Sequence, residues 1–384
     1  MVFLDNASTT KMHKQYGDLL LKYNEDLYYN PGGLYKCGTD IAYLISSCRK
    51  DIISSIGGKI NDNFIFTSGA TESNNIAINF AKRYKKGKIL ISIGEHPSIY
   101  NTAVELKNLG YDVDFVNLTR EGFVDEVDFK NKMTKDVCFV SIMHASNETG
   151  AINPIQKLVK YAKNINKNVI FHCDGVQAFG KVAVNVASLG VDMYTISGHK
   201  IHGCKGVGGL YAKGGIHLRP IVFGGGQENG LRSGTENVAG IVVLTKAIVD
   251  ACKSLNSNYE YITMLKNTLL DELSKIEYKP VVVSNENCSP YIVSLLCKNL
   301  RGETLLHKLD DEGFMVGNGS ACSSKKRGNR ILSAMGFSDA EIEGSLRISF
   351  STYNTKQEII DFVKAFDKIV KEYKEGTGRW VEPY

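Results

Sequence analysis

The sequence predicts an α/β protein with a large domain built on a mostly parallel β-sheet and a smaller α+β domain. In the middle of the chain, short and continuously apolar segments alternate with segments of helical period, which is typical of buried parallel strands joined by helices. After residue 255 a long helical segment precedes short and separated strands. A chain of 384 residues also exceeds what one small core organises. We therefore expect a large domain at residues 15–255 and a small domain formed by residues 1–14 and 256–384.

The individual elements follow from these periods in chain order. Residues 38–56 carry apolar side chains at helical spacing and stop at Gly57-Gly58. The large domain should have further helices at 74–82, 100–109 and 155–163, and strands at 64–66, 88–93, 113–116, 137–143, 169–173 and 191–196. The small domain should have helices at 259–273, 303–312 and 357–373, and strands at 280–284, 291–297 and 345–350.

The composition excludes several classes of protein. Lysines and arginines are scattered among acids and the net charge is only +5, which does not favour a nucleic-acid partner. No apolar run approaches the roughly 20 residues of a membrane span, and the N-terminus lacks a signal-peptide pattern. Nine cysteines, an odd number with no C-x-x-C pair, argue against a disulfide framework and a zinc site. We expect a cytoplasmic protein without a metal site.

One lysine stands at a position suited to chemistry. Ser197-Gly198-His199-Lys200 follows a predicted strand and precedes a glycine-rich run at 203–209. A lysine held in a partly dry pocket loses part of its preference for the charged form, and its amine can then form a Schiff base with a carbonyl. Taken alone, such a lysine is far more often a surface residue in a turn.

A second turn is suited to a phosphate. Thr67-Ser68-Gly69-Ala70-Thr71 follows a strand and opens a helix, so free backbone N–H groups and the helix dipole can bind an anion. The alternative is a helix with no ligand that Ser68 or Thr71 caps. Since neither a Walker pattern nor G-x-G-x-x-G is present, ATP and NAD are disfavoured.

Polar side chains follow several other strands. Asp174 directly follows the predicted strand 169–173, at a place where an acid can keep a pyridinium nitrogen protonated, and Gln177 can donate to the ring oxygen from the same turn. His96 and Asn147 follow two further strands, and such ends share one rim of a parallel sheet. Taken singly, Asp174 could instead cap a helix, and His96 could be a structural histidine.

Three features lie later in the chain. Cys322 sits among small residues, and the cations at 325–327 favour its nucleophilic thiolate. Arg347 lies on an alternating strand and can bind a carboxylate through two N–H groups, although alone it could be a solvent-facing arginine. The glycine-rich loop at 224–237 is either functional or a flexible surface loop.

In this order the motifs resemble the cysteine desulfurases of the NifS/IscS type, which are fold-type I PLP enzymes of the class-V aminotransferase group. The resemblance covers essentially the whole chain. It is carried by Leu4 to Thr10, Asn30-Pro31, Thr67 to Asn74, Glu95-His96, Asn147 to Gly150, Asp174 to Gln177, Ser197 to Lys200, Arg232 to Asn237 and Gly319 to Cys322. It implies a seven-stranded sheet in the large domain and a small domain that carries the cysteine loop.

The resemblance also implies residue roles. Lys200 would hold pyridoxal 5'-phosphate and move protons, His96 would stack on its ring, and Cys322 would attack the sulfur of bound L-cysteine. Asn147 would contact cofactor and substrate, and Arg347 would bind the substrate carboxylate. The other cofactor-binding residues would be Ala70, Thr71, Asp174, Gln177, Ser197, Gly198, His199 and, reaching the phosphate of the other subunit of a homodimer, Thr235.

The implied reaction converts L-cysteine to L-alanine and leaves a persulfide on Cys322, with the sulfur passed to a protein acceptor for Fe–S cluster assembly or tRNA thiolation. A selenocysteine lyase or aminotransferase of the same fold is the alternative, and a non-enzymatic scaffold protein is a third class. The segments Gly32-Gly33-Leu34-Tyr35 and Ser351-Thr352, and Cys204 after the lysine turn, depart from the usual family pattern.

Overall fold

Strands and helices occur in the alternating order that the sequence predicts. The computed structural model describes residues 1–84, 86–318 and 329–377. Its strands are β1 Val2–Leu4, β2 Asn63–Thr67, β3 Lys88–Ser92, β4 Val113–Val116, β5 Val137–Ser141, β6 Ile170–Asp174, β7 Met193–Ser197, β8 Gly208–Ala212, β9 Val281–Val282, β10 Ile292–Leu296, β11 Phe314–Val316 and β12 Ser345–Ser349.

The α-helices connect and flank these strands. They are α1 Gln15–Glu25, α2 Lys36–Ser55, α3 Ala70–Asn79, α4 Pro97–Asn108, α5 Glu126–Lys132, α6 Ile155–Ile165, α7 Val186–Leu189, α8 Val238–Lys253, α9 Leu255–Lys275, α10 Gly302–Asp311, α11 Arg330–Ala334, α12 Asp339–Glu343 and α13 Lys356–Thr377. None of the helices in the described ranges is long and apolar enough to cross a membrane.

Seven strands form one sheet in the order β2-β8-β7-β6-β5-β3-β4. Strand β8 runs antiparallel to both its neighbours, and the other pairs are parallel. The predicted seven-stranded, mostly parallel sheet is therefore confirmed. Because β2 and β7 are both antiparallel to β8, they point the same way, and their carboxyl ends lie at the same edge of the sheet.

Helices cover both faces of this sheet. Alternate side chains of each strand point to opposite faces, so each strand contributes to two cores. In β3, Leu90 joins a core with α2, α6 and α8, whereas Ile89 and Ile91 join a core with α3 and α4 on the other face. All of these strand residues are fully buried. The continuous apolar strands of the sequence are thus explained by two-sided burial.

A separate core lies in the C-terminal part of the chain. Strand β1 pairs in parallel with β11, while β9, β10 and β12 form an antiparallel sheet. Helices α9, α10 and α13 pack there, and Leu4 and Ala7 belong to the same core. This arrangement agrees with assigning the N-terminal segment to the small domain, and the boundary near residue 255 stays a prediction.

Several elements were not predicted from the sequence, among them β1, β11, α1, β8 and α8, and the last two have a clear physical reason. The sequence does not predict β8, because Gly208 and Gly209 weaken its strand pattern. A Cβ on Gly209 would lie 2.1 Å from the Phe64 ring, so close strand packing requires this glycine. Helix α8 was also missed, because its side chains are apolar on most sides and lack a clear polar face.

Candidate active site

Most of the predicted site residues lie at the carboxyl edge of the seven-stranded sheet. Asp174 and Ser197 are the last residues of β6 and β7, and β2 leads directly into the turn before α3. His96 and Asn147 follow β3 and β5 by a few residues. Because these strands point the same way, their ends face one cleft.

Lys200 is held by the N-terminal segment. Its Nζ donates to the backbone oxygens of Ala7 at 2.6 Å and Ser8 at 2.5 Å. The neighbouring His199 is tied to the same segment through Thr10, whose N–H donates to its carbonyl at 2.9 Å. The lysine is half-buried rather than extended into solvent. This half-burial and the two hydrogen bonds argue against a freely solvated surface lysine.

Asp174 is buried and oriented by two donors. Its Oδ2 accepts from Asn74 Nδ2 at 2.7 Å, and its Oδ1 accepts from the Val176 N–H at 3.0 Å. The following residues form a turn and not a helix, so Asp174 is not a helix cap. A fixed, buried carboxylate at this place can pair with a protonated ring nitrogen.

Gln177 lies on the same turn with both ends of its amide engaged. Its Nε2 donates to the Ala7 carbonyl at 2.8 Å, and its Oε1 accepts from Lys181 Nζ at 2.6 Å. The amide NH₂ therefore faces the carbonyl that also accepts from Lys200. This orientation agrees with the predicted donation from Gln177 to a ring oxygen.

His96 caps helix α4 and is neutral in character. Its Nδ1 accepts from the Ser98 N–H at 3.2 Å. Burial lowers the pKa of His96, the positive charges of Lys200 and Arg330 lower it further, and the Asp174 carboxylate opposes them. With its pKa lowered, the imidazole of His96 is neutral near pH 7. A neutral, half-buried imidazole suits stacking on a flat cofactor.

Glu95 is a carboxyl group that the sequence analysis gave no role. It is completely buried, and its Oε1 accepts from the Met143 N–H. Burial and the Asp174 carboxylate raise its pKa to about 8. Glu95 is thus mostly protonated at neutral pH, so it adds little negative charge beside Asp174. Only its burial identifies it, and the sequence gives no signal of that.

The predicted phosphate turn has the geometry of an anion site. Gly69 precedes α3 with φ +154°, a backbone conformation that favours glycine, and no side chain within the described residues caps the helix. Ser68 or Thr71 as a cap is therefore wrong. A Cβ on Gly208 would lie 2.9 Å from the Gly69 Cα, so this glycine lets the two backbones approach. Ala70 is half-buried and Thr71 exposed at the helix start.

Ser197 and His199 also lie beside this turn. The Ser197 hydroxyl oxygen is buried and has no hydrogen-bond partner within the described residues. Burial and the charges of three lysines lower the pKa of His199 to about 4, and its Nδ1 lies 3.1 Å from the Thr9 hydroxyl. Gly198 is buried between them. A buried hydroxyl without a partner is costly unless a ligand supplies one.

Arg347 lies on β12, in the three-stranded sheet of the C-terminal core, and its side chain is only 11% exposed. The alternative of a solvent-facing arginine is therefore wrong. It bonds to Asp5 Oδ1 at 2.8 Å, to the Asn147 carbonyl at 2.9 Å and to Glu148 Oε1 at 3.4 Å. Two carboxylates thus hold the guanidinium in place.

The structure does not test the predicted roles of Cys322 and Thr235. Cys322 lies outside the described residues. Thr235 is exposed on the loop between β8 and α8. The same loop is anchored by the ion pair of Arg232 with Glu72 at 2.9 Å.

The residues at the sheet edge fit pyridoxal 5'-phosphate. The Ser197 hydroxyl and the Asn147 Oδ1 atom are both buried and have no hydrogen-bond partner within the described ranges. Both belong to residues that are predicted to contact this cofactor. A lysine, a buried carboxylate, an amide donor and an uncapped helix N-terminus match its aldehyde, ring nitrogen, ring oxygen and phosphate.

The chain is similar to known proteins along its whole length. Residues 2–362 match the family described as Aminotransferase class-V. The protein named Cysteine desulfurase IscS of Dictyoglomus turgidum is 37% identical, with 100% of this chain and 96% of that protein covered.

Two solved structures are also similar to this fold. A structure titled NIFS-LIKE PROTEIN has 31% identity and a TM-score of 0.90, and the match covers 96% of this chain and 99% of that one. A structure titled SspA in complex with cysteine has 27% identity and a TM-score of 0.80 over 92% of this chain and all of that one. The chain therefore belongs to the class-V aminotransferase family of PLP-dependent enzymes, and within it to the cysteine desulfurases of the NifS/IscS type.

Proposed function

We propose that the chain converts L-cysteine to L-alanine and holds the released sulfur as a persulfide on Cys322. The C–S bond of cysteine breaks, a bond forms between that sulfur and Cys322 Sγ, and the carbon skeleton leaves as alanine. Cysteine and one protein thiol thus give alanine and one protein persulfide, with no other reactant. The observation that carries the proposal is the convergence of Lys200, Asp174 and Gln177 on one cleft with Arg347 at its rim.

Bound PLP supplies an electron-withdrawing ring that acidifies the Cα–H of an amino acid. The protein groups would hold it: Asp174 at the ring nitrogen, Gln177 at the ring oxygen and His96 on the ring face. Lys200 would be the covalent attachment and then the group that moves protons at Cα. Ser197, Gly198, His199, Ala70 and Thr71 would bind the phosphate.

Substrate binding would depend on Arg347 and Asn147. The guanidinium presents a planar pair of donors to the amino acid carboxylate, in competition with Asp5 and Glu148. The buried Asn147 Oδ1 lacks a partner among the described atoms and can accept from the substrate or the cofactor.

The position of Cys322 in the chain supports its role. Gly317 pairs with Arg347 through two backbone hydrogen bonds of 2.9 and 2.8 Å. Asn329 Nδ2 donates to Glu148 at 3.1 Å, and Glu148 is itself bonded to Arg347. Gly317 and Asn329, on either side of residues 319–328, are thus connected to Arg347, the first directly and the second through Glu148.

We further propose a cytoplasmic homodimer that passes its sulfur to a protein acceptor for Fe–S assembly or tRNA thiolation. The exposure of Thr235 supports a contact with the phosphate site of a second subunit, and Leu34 and Tyr43 are large exposed apolar side chains that a second subunit could cover. The eight cysteines in the described part of the chain are free thiols, as expected in a reducing compartment. Residues 15–255 and residues 1–14 with 256–384 are the proposed domains.

The test is an assay of purified, PLP-loaded protein with L-cysteine and a thiol reductant. Alanine and sulfide in equal amounts support the proposal. Amino-group transfer to a keto acid without alanine formation, or turnover of selenocysteine alone, would replace it. Borohydride reduction followed by peptide mapping should place the cofactor on Lys200, and Lys200→Ala protein should carry no covalent cofactor.

A further inference from the structure

Lys181 is a fully buried lysine in the turn after β6 whose position no part of the proposed chemistry explains. Its residue exposure is 6%, although lysine is almost never buried without a partner. No carboxylate among the described residues forms an ion pair with its ammonium group. Among the residues that the structure describes, its hydrogen bond is the donation from Nζ to Gln177 Oε1 at 2.6 Å.

This contact decides which way the Gln177 amide points. An amide side chain can rotate to exchange its oxygen and its NH₂ group, and its hydrogen-bond partners select the orientation. If the amide were reversed, its NH₂ group would meet the Lys181 amine, so two donors would face each other. With Oε1 engaged by Lys181, the NH₂ group is directed to the Ala7 carbonyl, which also accepts from Lys200.

We propose that Lys181 is a positioning residue that locks the Gln177 amide, so that its NH₂ group is presented to the phenolic oxygen of PLP attached to Lys200. The inference rests on the proposed function, because it needs the cofactor at this site. It explains why a costly lysine lies under an uncharged glutamine instead of an acid, since an acid there would place negative charge beside the phenolic oxygen.

The surroundings of Lys181 keep this lock from adding a full extra charge. Burial and the positive charges of Lys200 and Arg347 lower its pKa to about 7. The Tyr291 ring, whose centre is 5.8 Å from Nζ, offers its face to the amine. The ammonium has N–H donors and no acceptor, so it excludes the reversed amide, whereas the neutral amine can also accept and holds the amide less strictly. The lock is therefore strongest below about pH 7.

The first experiment compares Lys181→Met with Lys266→Met. Lys266 is an equally buried lysine on α9, where it bonds to the Asn285 carbonyl at 3.0 Å. In Lys181→Met, a freed Gln177 amide no longer stabilises the negative phenolic oxygen, so the nitrogen linking Lys200 to the cofactor becomes more basic. We expect the pH midpoint of the cofactor absorbance to rise by about one unit, and PLP affinity to fall roughly tenfold. In Lys266→Met neither quantity should change.

A second comparison leaves Lys181 in place and changes its partner. In Gln177→Glu, Lys181 should hold the new carboxylate in its charged form, which repels the phenolic oxygen, so PLP should bind more weakly than in Gln177→Ala. If Lys181 did not act on this position, the buried acid would be protonated and its O–H could donate. PLP would then bind more tightly to Gln177→Glu than to Gln177→Ala, and the inference would be overturned.

The outcomes separate this inference from the function on which it rests. A wild-type protein that takes up PLP but forms no alanine overturns the desulfurase proposal and leaves the spectral test of Lys181 intact. A midpoint that moves in Gln177→Ala but not in Lys181→Met overturns the inference alone. A wild-type protein that takes up no PLP overturns both.

Discussion

Arg347 and Asp5 form an ion pair between opposite ends of the chain, with 2.8 Å between Nη2 of the arginine and Oδ1 of the aspartate. The two residues are 342 positions apart, and β1 and β12 bring them together through the bridge of Asp5 with Ser349. Asp5 therefore holds the guanidinium at the cleft before a substrate arrives. An incoming amino acid carboxylate must replace part of this interaction.

We expect Arg347→Lys to raise the KM for cysteine roughly tenfold or more, with a smaller change in kcat, because an ammonium cannot offer the planar pair of donors. Asp5→Asn should lower KM, because the substrate carboxylate no longer competes with a charged partner. Initial rates of alanine formation measure both. Arg301→Lys is the control, since Arg301 is 72% exposed in a surface ion pair with Glu343. Unchanged KM in Arg347→Lys would remove Arg347 from substrate binding.

Cys322→Ser should abolish alanine formation, because a hydroxyl does not replace a thiolate as the sulfur acceptor. The absorbance of the bound cofactor should stay as in the wild type, since none of the residues proposed to hold the cofactor is changed. Intact mass spectrometry of wild-type protein after cysteine addition should show one added sulfur per chain.

Cys252→Ser is the matched control for this experiment. Cys252 is an exposed cysteine on α8, yet partial burial raises the pKa of its thiol and it lies at 3.5 Å from the Ser55 carbonyl. The control should keep both activity and the added sulfur. If Cys252→Ser lost the added sulfur while Cys322→Ser stayed active, the assignment of the persulfide to Cys322 would be wrong.

The sequence predicted the parts of the site that follow from strand ends. Lys200, Asp174, His96 and Asn147 each follow a predicted strand, and parallel strands bring such positions to one edge. Only the family resemblance could pair Arg347 with this edge, because its partner Asp5 lies at the other end of the chain.

Other parts depend on burial, which one sequence does not report. Lys181 and Glu95 look like ordinary surface charges in the sequence, yet both are buried beneath the cleft. The strand β8 was missed because glycine is a poor strand former, although here the neighbouring backbone and aromatic rings leave no space for a side chain.

Gly175 and Tyr194 are coupled by space. A Cβ on Gly175 would lie 2.0 Å from the Tyr194 ring, whose hydroxyl lies 2.9 Å from His144 Nδ1. Gly175→Ala should therefore lower the free energy of unfolding by about 1–3 kcal/mol through overpacking. In a Tyr194→Leu background the same change should cost less, because the ring is gone.

Chemical denaturation of the two single variants and the double variant measures this coupling. Gly17→Ala is the control, since nothing lies within 4 Å of the added Cβ and the site is in helix α1, where alanine is favoured. Additive effects of the Gly175 and Tyr194 changes would show that the steric argument is wrong.

Glu95 should make the stability of the protein depend on pH. Its pKa is raised from 4.5 to about 8 in the folded protein, so folding takes up a proton between these values. The contribution of Glu95 to the free energy of unfolding is therefore fully present below pH 4.5. It decreases as the pH rises toward 8, by up to about 1.4 kcal/mol per pH unit. Glu95→Gln keeps an acceptor for the Met143 N–H and has no proton to take up.

Unfolding free energies of wild type and Glu95→Gln should therefore diverge as the pH rises. The variant should gain stability over the wild type between pH 5 and 8. Urea denaturation across this pH range checks the difference. Parallel curves for Glu95→Gln would mean that Glu95 is ionised in the folded protein, and a second full negative charge would then lie beside Asp174.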